Sequence, residues 1–163
     1  MLPEADFLGI TFDARQTWEP QTRKMVAKAY KRLNLLCVLS VTTTKHNPNA
    51  LVHLYTSIVR PLYEYSCISM INAADCHIEK LQMIQNQALR VVLKCPAYIS
   101  IKDLHDYSGL PLIKDHLIKF AKGRLNAIRK ASPLVEKTIQ NYEEVKHIRQ
   151  NESVLDVLTS YQQ

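Results

Sequence analysis

Apolar residues recur through most of this chain at the three-and-four spacing that lays one stripe along an α-helix. Met25, Val26, Ala29, Tyr30, Leu33, Leu36 and Cys37 form the first stripe. Thr17 stands where it can cap this helix, with Trp18, Glu19 and Pro20 in the first turn, and Thr42-Thr43-Thr44 ends it after about Ser40. Asn47-Pro48 caps a second helix carrying Leu51, Leu54, Tyr55, Ile58 and Leu62, which Pro61 should kink or divide. Asp75 opens a third, with Ile78, Leu81, Ile84, Ala88, Leu89 and Val92 in register, closed by Cys95-Pro96. Ser100 starts a short fourth that Gly109 terminates in the left-handed conformation, and Leu112 to Lys130 makes a fifth. Residues 133–142 read as a weak sixth, and from Glu143 the pattern fades into a polar tail.

Ahead of the helices, Phe7 to Asp13 is short, rich in β-formers and followed by a turn-prone Ala14-Arg15, so it reads as one strand. A single strand cannot satisfy its own hydrogen bonds, and no later segment makes a convincing partner. The expected fold is mostly α: a bundle of about five helices preceded by one orphan β-strand. Three regions follow: 1–16 with the strand, 17–132 as the helical domain, and 133–163 as a weakly helical or disordered tail.

Composition narrows this picture. The chain has 163 residues, 47% hydrophobic and 22% charged, enough for one globular core. Three glycines are too few for a phosphate-cradling loop. Four cysteines (Cys37, Cys67, Cys76 and Cys95) contain no CxxC pair and read as reduced, partly buried thiols. The six histidines lack ligand spacing, so no metal site is expected. No basic region followed by an apolar run opens the sequence, and no stretch approaches membrane-spanning length. An intracellular protein follows, nucleus or cytoplasm unresolved, without a membrane partner.

The net charge is +6, and its distribution matters more than its size. Between Arg15 and Arg32, six bases (Arg15, Arg23, Lys24, Lys28, Lys31 and Arg32) face one acid, Glu19. A second basic stretch, Lys114 to Lys130, has six bases against Asp115, and beyond Pro133 five acids outnumber three bases. Bases of this kind either track phosphates or line a solvated helix face.

Ordered blocks of residues give the chain a resemblance. Phe7-Leu8-Gly9-Ile10 with Asp13 and Thr17-Trp18 comes first, then Ala27-Lys28-Ala29-Tyr30-Lys31-Arg32-Leu33. Leu54-Tyr55 with Ile58-Val59-Arg60-Pro61 and Glu64-Tyr65 is next, then Leu81-Gln82, Ile84-Gln85-Asn86 and Ala88-Leu89-Arg90. Ser108-Gly109-Leu110-Pro111-Leu112 closes the series, which covers roughly residues 7 to 113. The series resembles the carboxy-terminal, post-palm part of LINE-type, non-LTR retrotransposon reverse transcriptases, closest in flavour to the jockey-like elements of arthropods. Three positions depart from it: Gln21 stands where the family often has histidine, Ser66 where it has glycine, and Met70 where it has tryptophan.

The resemblance implies a place in a larger machine. The strand with the Phe-Leu-Gly block would close the palm beside the primer end, and the helices would form a thumb-like grip on the template–primer duplex. The metal-binding carboxylates of the family lie upstream, and this chain has no Asp-Asp pair. Two-metal phosphoryl transfer needs such carboxylates, so the chain by itself is expected to be no enzyme and to hold no cofactor. The parent polymerase, an RNA-directed DNA polymerase, would need Mg²⁺, and the missing palm and fingers would be partners within the same polypeptide. Backbone contact falls to Arg15, Arg23, Lys24, Lys28, Lys31 and Arg32. The competing reading is a domesticated or decayed helical module that binds protein and has no nucleic-acid role. Trp18 reads as a core anchor rather than a base-stacking residue, and Tyr55, Tyr63 and Tyr65 as packing residues. A strand without its palm contacts would leave Phe7, Ile10 and Trp18 partly uncovered and favour self-association.

Overall fold

The computed structural model describes residues 4–15, 17–42, 47–70, 73–132, 134 and 137, with backbone alone for Ser69 and Met70. Among these residues two strands, β1 (Glu4–Phe7) and β2 (Ile10–Asp13), precede six helices: α1 (Glu19–Thr42), α2 (Pro48–Ile58), α3 (Pro61–Met70), α4 (Asp75–Leu93), α5 (Ile101–Ser108) and α6 (Ile113–Ala131). The class is mostly α, as the periodicity requires. Pro61 divides the expected second helix in two, because it lacks the N–H that would continue the ladder. The expected sixth helix and the tail lie largely outside the described residues. None of the described helices is long and apolar enough to cross a membrane.

Local chemistry accounts for several helix ends. Asn47 Oδ1 accepts the N–H of Ala50 ahead of Pro48, and Ser100 Oγ accepts that of Asp103. Gly109 ends α5 at φ +64°, whereas α4 ends on Lys94 at φ +52°, a left-handed position without glycine. Thr17 is a weaker cap than its position suggests. Its Oγ1 lies 3.4 Å from the N–H of Glu19 and instead donates to Asp13 Oδ2 at 2.9 Å.

The strand corrects the sequence reading: it is not an orphan. Glu4–Phe7 pairs antiparallel with Ile10–Asp13, in the register Glu4↔Asp13, Ala5↔Phe12, Asp6↔Thr11 and Phe7↔Ile10. Leu8-Gly9, expected inside a strand, is the two-residue turn, with φ of 49° and 79°. Two positive φ values match the right-handed twist of the flanking strands. Glycine adopts this freely; leucine does so at a cost of about 1–2 kcal/mol. The Tyr65 hydroxyl donates to Leu8 O at 2.5 Å and ties the turn to α3.

Alternation along the hairpin puts Glu4, Asp6, Thr11 and Asp13 on one face and Ala5, Phe7, Ile10 and Phe12 on the other. The polar face meets α1. Lys24 Nζ reaches Asp6 Oδ1 at 3.0 Å and Thr11 Oγ1 at 2.7 Å, and Thr11 is buried. Gln21 Oε1 accepts the N–H of Thr11 at 2.9 Å and so occupies one outward donor on the edge of β2. The other face is only partly covered: Phe7 is 66% exposed, whereas Ile10 is half-buried. Trp18 is half-buried, leans on Phe12 at 5.5 Å between ring centroids, and packs against the core. Its reading as an anchor therefore holds.

α4 lies along α1 and also touches α2, α5 and α6. Met25, Ala29, Leu33 and Leu36 of α1 meet Leu81, Ile84, Ala88 and Val92 of α4 in one core, with Tyr55, Tyr63, Cys67, Leu117 and Ala121. Burial pushes the phenols of Tyr55 and Tyr63 well above the usual range, and it raises the Cys67 thiol.

Candidate nucleic-acid interface

The six bases nominated by sequence part into two groups. Lys24 is held by Asp6 and Thr11, Arg23 lies 4.0 Å from Glu4, and Arg32 Nη1 donates to Ile58 O at the end of α2. These three tie α1 to the hairpin and to α2. Arg15, Lys28 and Lys31 are exposed, and they make no hydrogen bond or ion pair among the described residues. Lys24, Lys28 and Lys31 share a face because residues three and four apart are neighbours on a helix.

The hairpin carboxylates complete the electrostatics. The Thr11 hydroxyl, then Lys24, holds the Asp6 carboxyl below its usual range. Asp13 is likewise lowered, chiefly by the backbone N–H of Thr17 and also by that of Trp18, whose bonds measure 2.9 and 3.0 Å. Asp13 thus fixes the path from strand to helix, so the Asp13…Thr17-Trp18 block is a structural joint. Gln21, at a position where the resembled family often has histidine, supplies the acceptor for β2.

The remaining blocks meet in a polar belt that sequence reasoning did not foresee. Gln82 Oε1 accepts the N–H of Ile113 at 2.8 Å, and Gln85 Nε2 donates to Pro111 O at 2.8 Å. The Tyr55 hydroxyl donates to Gln85 Oε1 at 3.0 Å. His105 Nδ1 lies 2.7 Å from Leu110 O, while its Nε2 lies 3.0 Å from Gln82 Nε2 and 3.2 Å from Asn86 Oδ1. A backbone N–H only donates, so Ile113 orients the Gln82 amide, and His105 in turn carries its proton on Nδ1. The Gln82, Gln85 and Asn86 block therefore grips the Gly109–Leu112 loop and sets where α6 starts.

Arg60 is 7% exposed, and its Nε and Nη2 have no partner among the described residues. It neighbours Tyr55 and Tyr63, while Glu64, one turn on, faces His116 at 2.7 Å. Ser66 is buried with its hydroxyl 3.2 Å from Met25 Sδ. The Met70 side chain lies outside the described residues. No three His, Cys, Asp or Glu side chains converge to hold a metal ion among the described residues.

In sequence, the chain is similar to RNA-directed DNA polymerases of transposons. Two curated proteins of Drosophila melanogaster carry this relation. One is a probable RNA-directed DNA polymerase from transposon BS, 25% identical over 127 residues, which are 78% of this chain and 14% of that protein. The other is a probable RNA-directed DNA polymerase from transposon X-element, 30% identical over 122 residues, 71% of this chain and 13% of that protein. The chain thus spans about one seventh of the length of these relatives. No family model and no solved structure matches it.

Proposed function

We propose that the chain is the thumb-like part of a transposon RNA-directed DNA polymerase, holding the phosphate backbone of a template–primer duplex without reading its sequence. One observation carries this reading. Lys28 and Lys31 stand exposed on α1 with Arg15 ahead of them, inside a segment similar to two transposon polymerases. Arg23, Lys24 and Arg32 act one step back, by fixing the hairpin and α2 against that helix. Nucleotide addition, with the Mg²⁺ it requires, belongs to palm and fingers outside this segment. The sequence here has no adjacent aspartates to hold two ions.

A protein-binding role is the second reading. Exposed Leu35, Val38 and Val41, on the carboxy-terminal half of α1, favour it. Fluorescence anisotropy of a labelled RNA–DNA hybrid separates the two. Phosphate contact gives binding that weakens steeply with salt, with dissociation constants of about 10⁻⁴–10⁻⁶ M at physiological ionic strength. Absence of binding at low salt would remove the nucleic-acid reading.

A further inference from the structure

The polar belt leaves the His105 ring one protonation state. Ile113 N–H donates to Gln82 Oε1 at 2.8 Å, so the Gln82 amide presents its other end, the donor Nε2, to His105 Nε2 at 3.0 Å. His105 Nε2 is therefore the bare, accepting nitrogen, and Nδ1–H donates to Leu110 O at 2.7 Å. A ring with protons on both nitrogens would set N–H against N–H at Gln82. We propose that His105 is a proton-operated latch. Neutral, it holds the Gly109–Leu112 loop and the start of α6 against α4; protonated, it releases them.

The belt cannot absorb the extra proton. With the Gln82 amide turned over, Oε1 would accept from the charged ring, but Nε2 would then face the Ile113 N–H. The mismatch would only move to the other end of the same side chain. Asn86 Oδ1, 3.2 Å from His105 Nε2, already accepts Gln82 Nε2 at 2.8 Å. If it also accepts from the ring, a Gln82 N–H is left pointing at a cation. Each arrangement strands a donor where α6 begins, beside the fully buried Ile113.

Neutral groups surround the ring: Leu110 O from the loop, and Gln82 and Asn86 from α4. On α5 itself, Asp103 is bonded to the Ser100 hydroxyl, while Lys102 and Asp106 are exposed. On α4, Arg90 donates to Ile99 O and Glu79 is exposed. On α6, Lys114 is paired with Asp75 and Asp115 is exposed. From α2, His53 lines a cleft of about 400 Å³ with Ser108 and Leu110, and a second imidazole brings a like charge rather than an opposite one. Among these contacts no carboxylate holds a charged His105. A fold that binds the neutral ring better than the charged one loses stability as pH falls.

Amide exchange of Ile113, followed by NMR in the full chain from about pH 8 to about pH 5, reads the latch where it acts. Corrected for the intrinsic rate, protection should fall by roughly tenfold or more on acidification. In His105→Asn it should stay level, because the asparagine N–H stands in for Nδ1–H and takes up no proton. Gln82→Glu inverts the sign, since a carboxylate accepts from Ile113 and from a charged ring alike. Its melting temperature relative to the native chain should rise by roughly 2–8 °C over the same range. The ring nitrogen shifts of the native chain need no variant, and at about pH 8 they should place the proton on Nδ1. A proton on Nε2, Ile113 protection that ignores pH or falls equally in His105→Asn, or a Gln82→Glu chain that tracks the native one, would overturn the proposal.

Discussion

Asp13 Oδ1 accepts the backbone N–H of Trp18 at 3.0 Å and so holds a tryptophan at φ +64°, where a side chain is ordinarily strained. The same carboxylate takes the N–H and hydroxyl of Thr17 at 2.9 Å each. One side chain thus closes the joint between hairpin and α1.

That joint should respond to acid. A carboxyl depressed in the folded state adds stability above its unfolded pKa, about 3.9, and loses it as pH falls through the folded value. Asp13 is lowered by its N–H donors, so acidification should cost the native chain more than an Asp13→Ala variant. Melting temperatures of the two, measured from about pH 7 down to about pH 2.5, should converge at the acid end. A gap that stays constant over that range would contradict the joint. Asp6 is shared by both proteins and cancels.

Gln85 is fully buried and serves the Tyr55 hydroxyl and the Pro111 carbonyl together. Gln85→Met keeps the volume but strands the buried Tyr55 hydroxyl, at about 1–3 kcal/mol in denaturant unfolding. Adding Tyr55→Phe removes one stranded donor, so the double variant should lose less than the two single losses combined. Additive losses would mean that the bond contributes nothing.

Lys94 ends α4 in the left-handed conformation at φ +52° and is exposed. Lys94→Gly should stabilise the chain by about 0.4–1 kcal/mol, since glycine adopts this backbone without a Cβ penalty. Thermal or urea unfolding reads the sign directly, and destabilisation would show that the lysine side chain does more than fill the cap.

Particular residues show why some of this architecture was legible. Leu33, Leu36, Leu81 and Ala88 betray their helices because burial on one face forces a 3.6-residue period. Asn47, Ser100 and Gly109 mark boundaries because capping chemistry is local. Pro61 acts through its missing N–H, which is local too. The hairpin escaped because Glu4-Ala5-Asp6-Phe7 has poor β-propensity and Leu8-Gly9 lacks the usual asparagine or aspartate of such a turn. Gln82, Gln85, Asn86 and His105 were invisible as a unit because buried polar residues look like a solvated face until their partners are known. The basic stretch was visible as charge. That Lys24 and Arg32 are bound to Asp6 and Ile58 depends on contacts 18 and 26 residues away, which spacing along the chain does not reveal.

The central claim is that exposed bases of α1 and its approach touch phosphates while the tethered ones hold the scaffold. The most direct measurement is the slope of log affinity against log salt for an RNA–DNA hybrid, compared between the native chain and two variants. Replacing Arg15, Lys28 and Lys31 together by glutamine should flatten the slope by about two to three, near 0.9 for each lost phosphate contact. Replacing Lys24 and Arg32 by glutamine should lower thermal stability and leave the slope nearly unchanged. An unchanged slope in the triple variant, or no salt dependence in the native chain, would contradict the account.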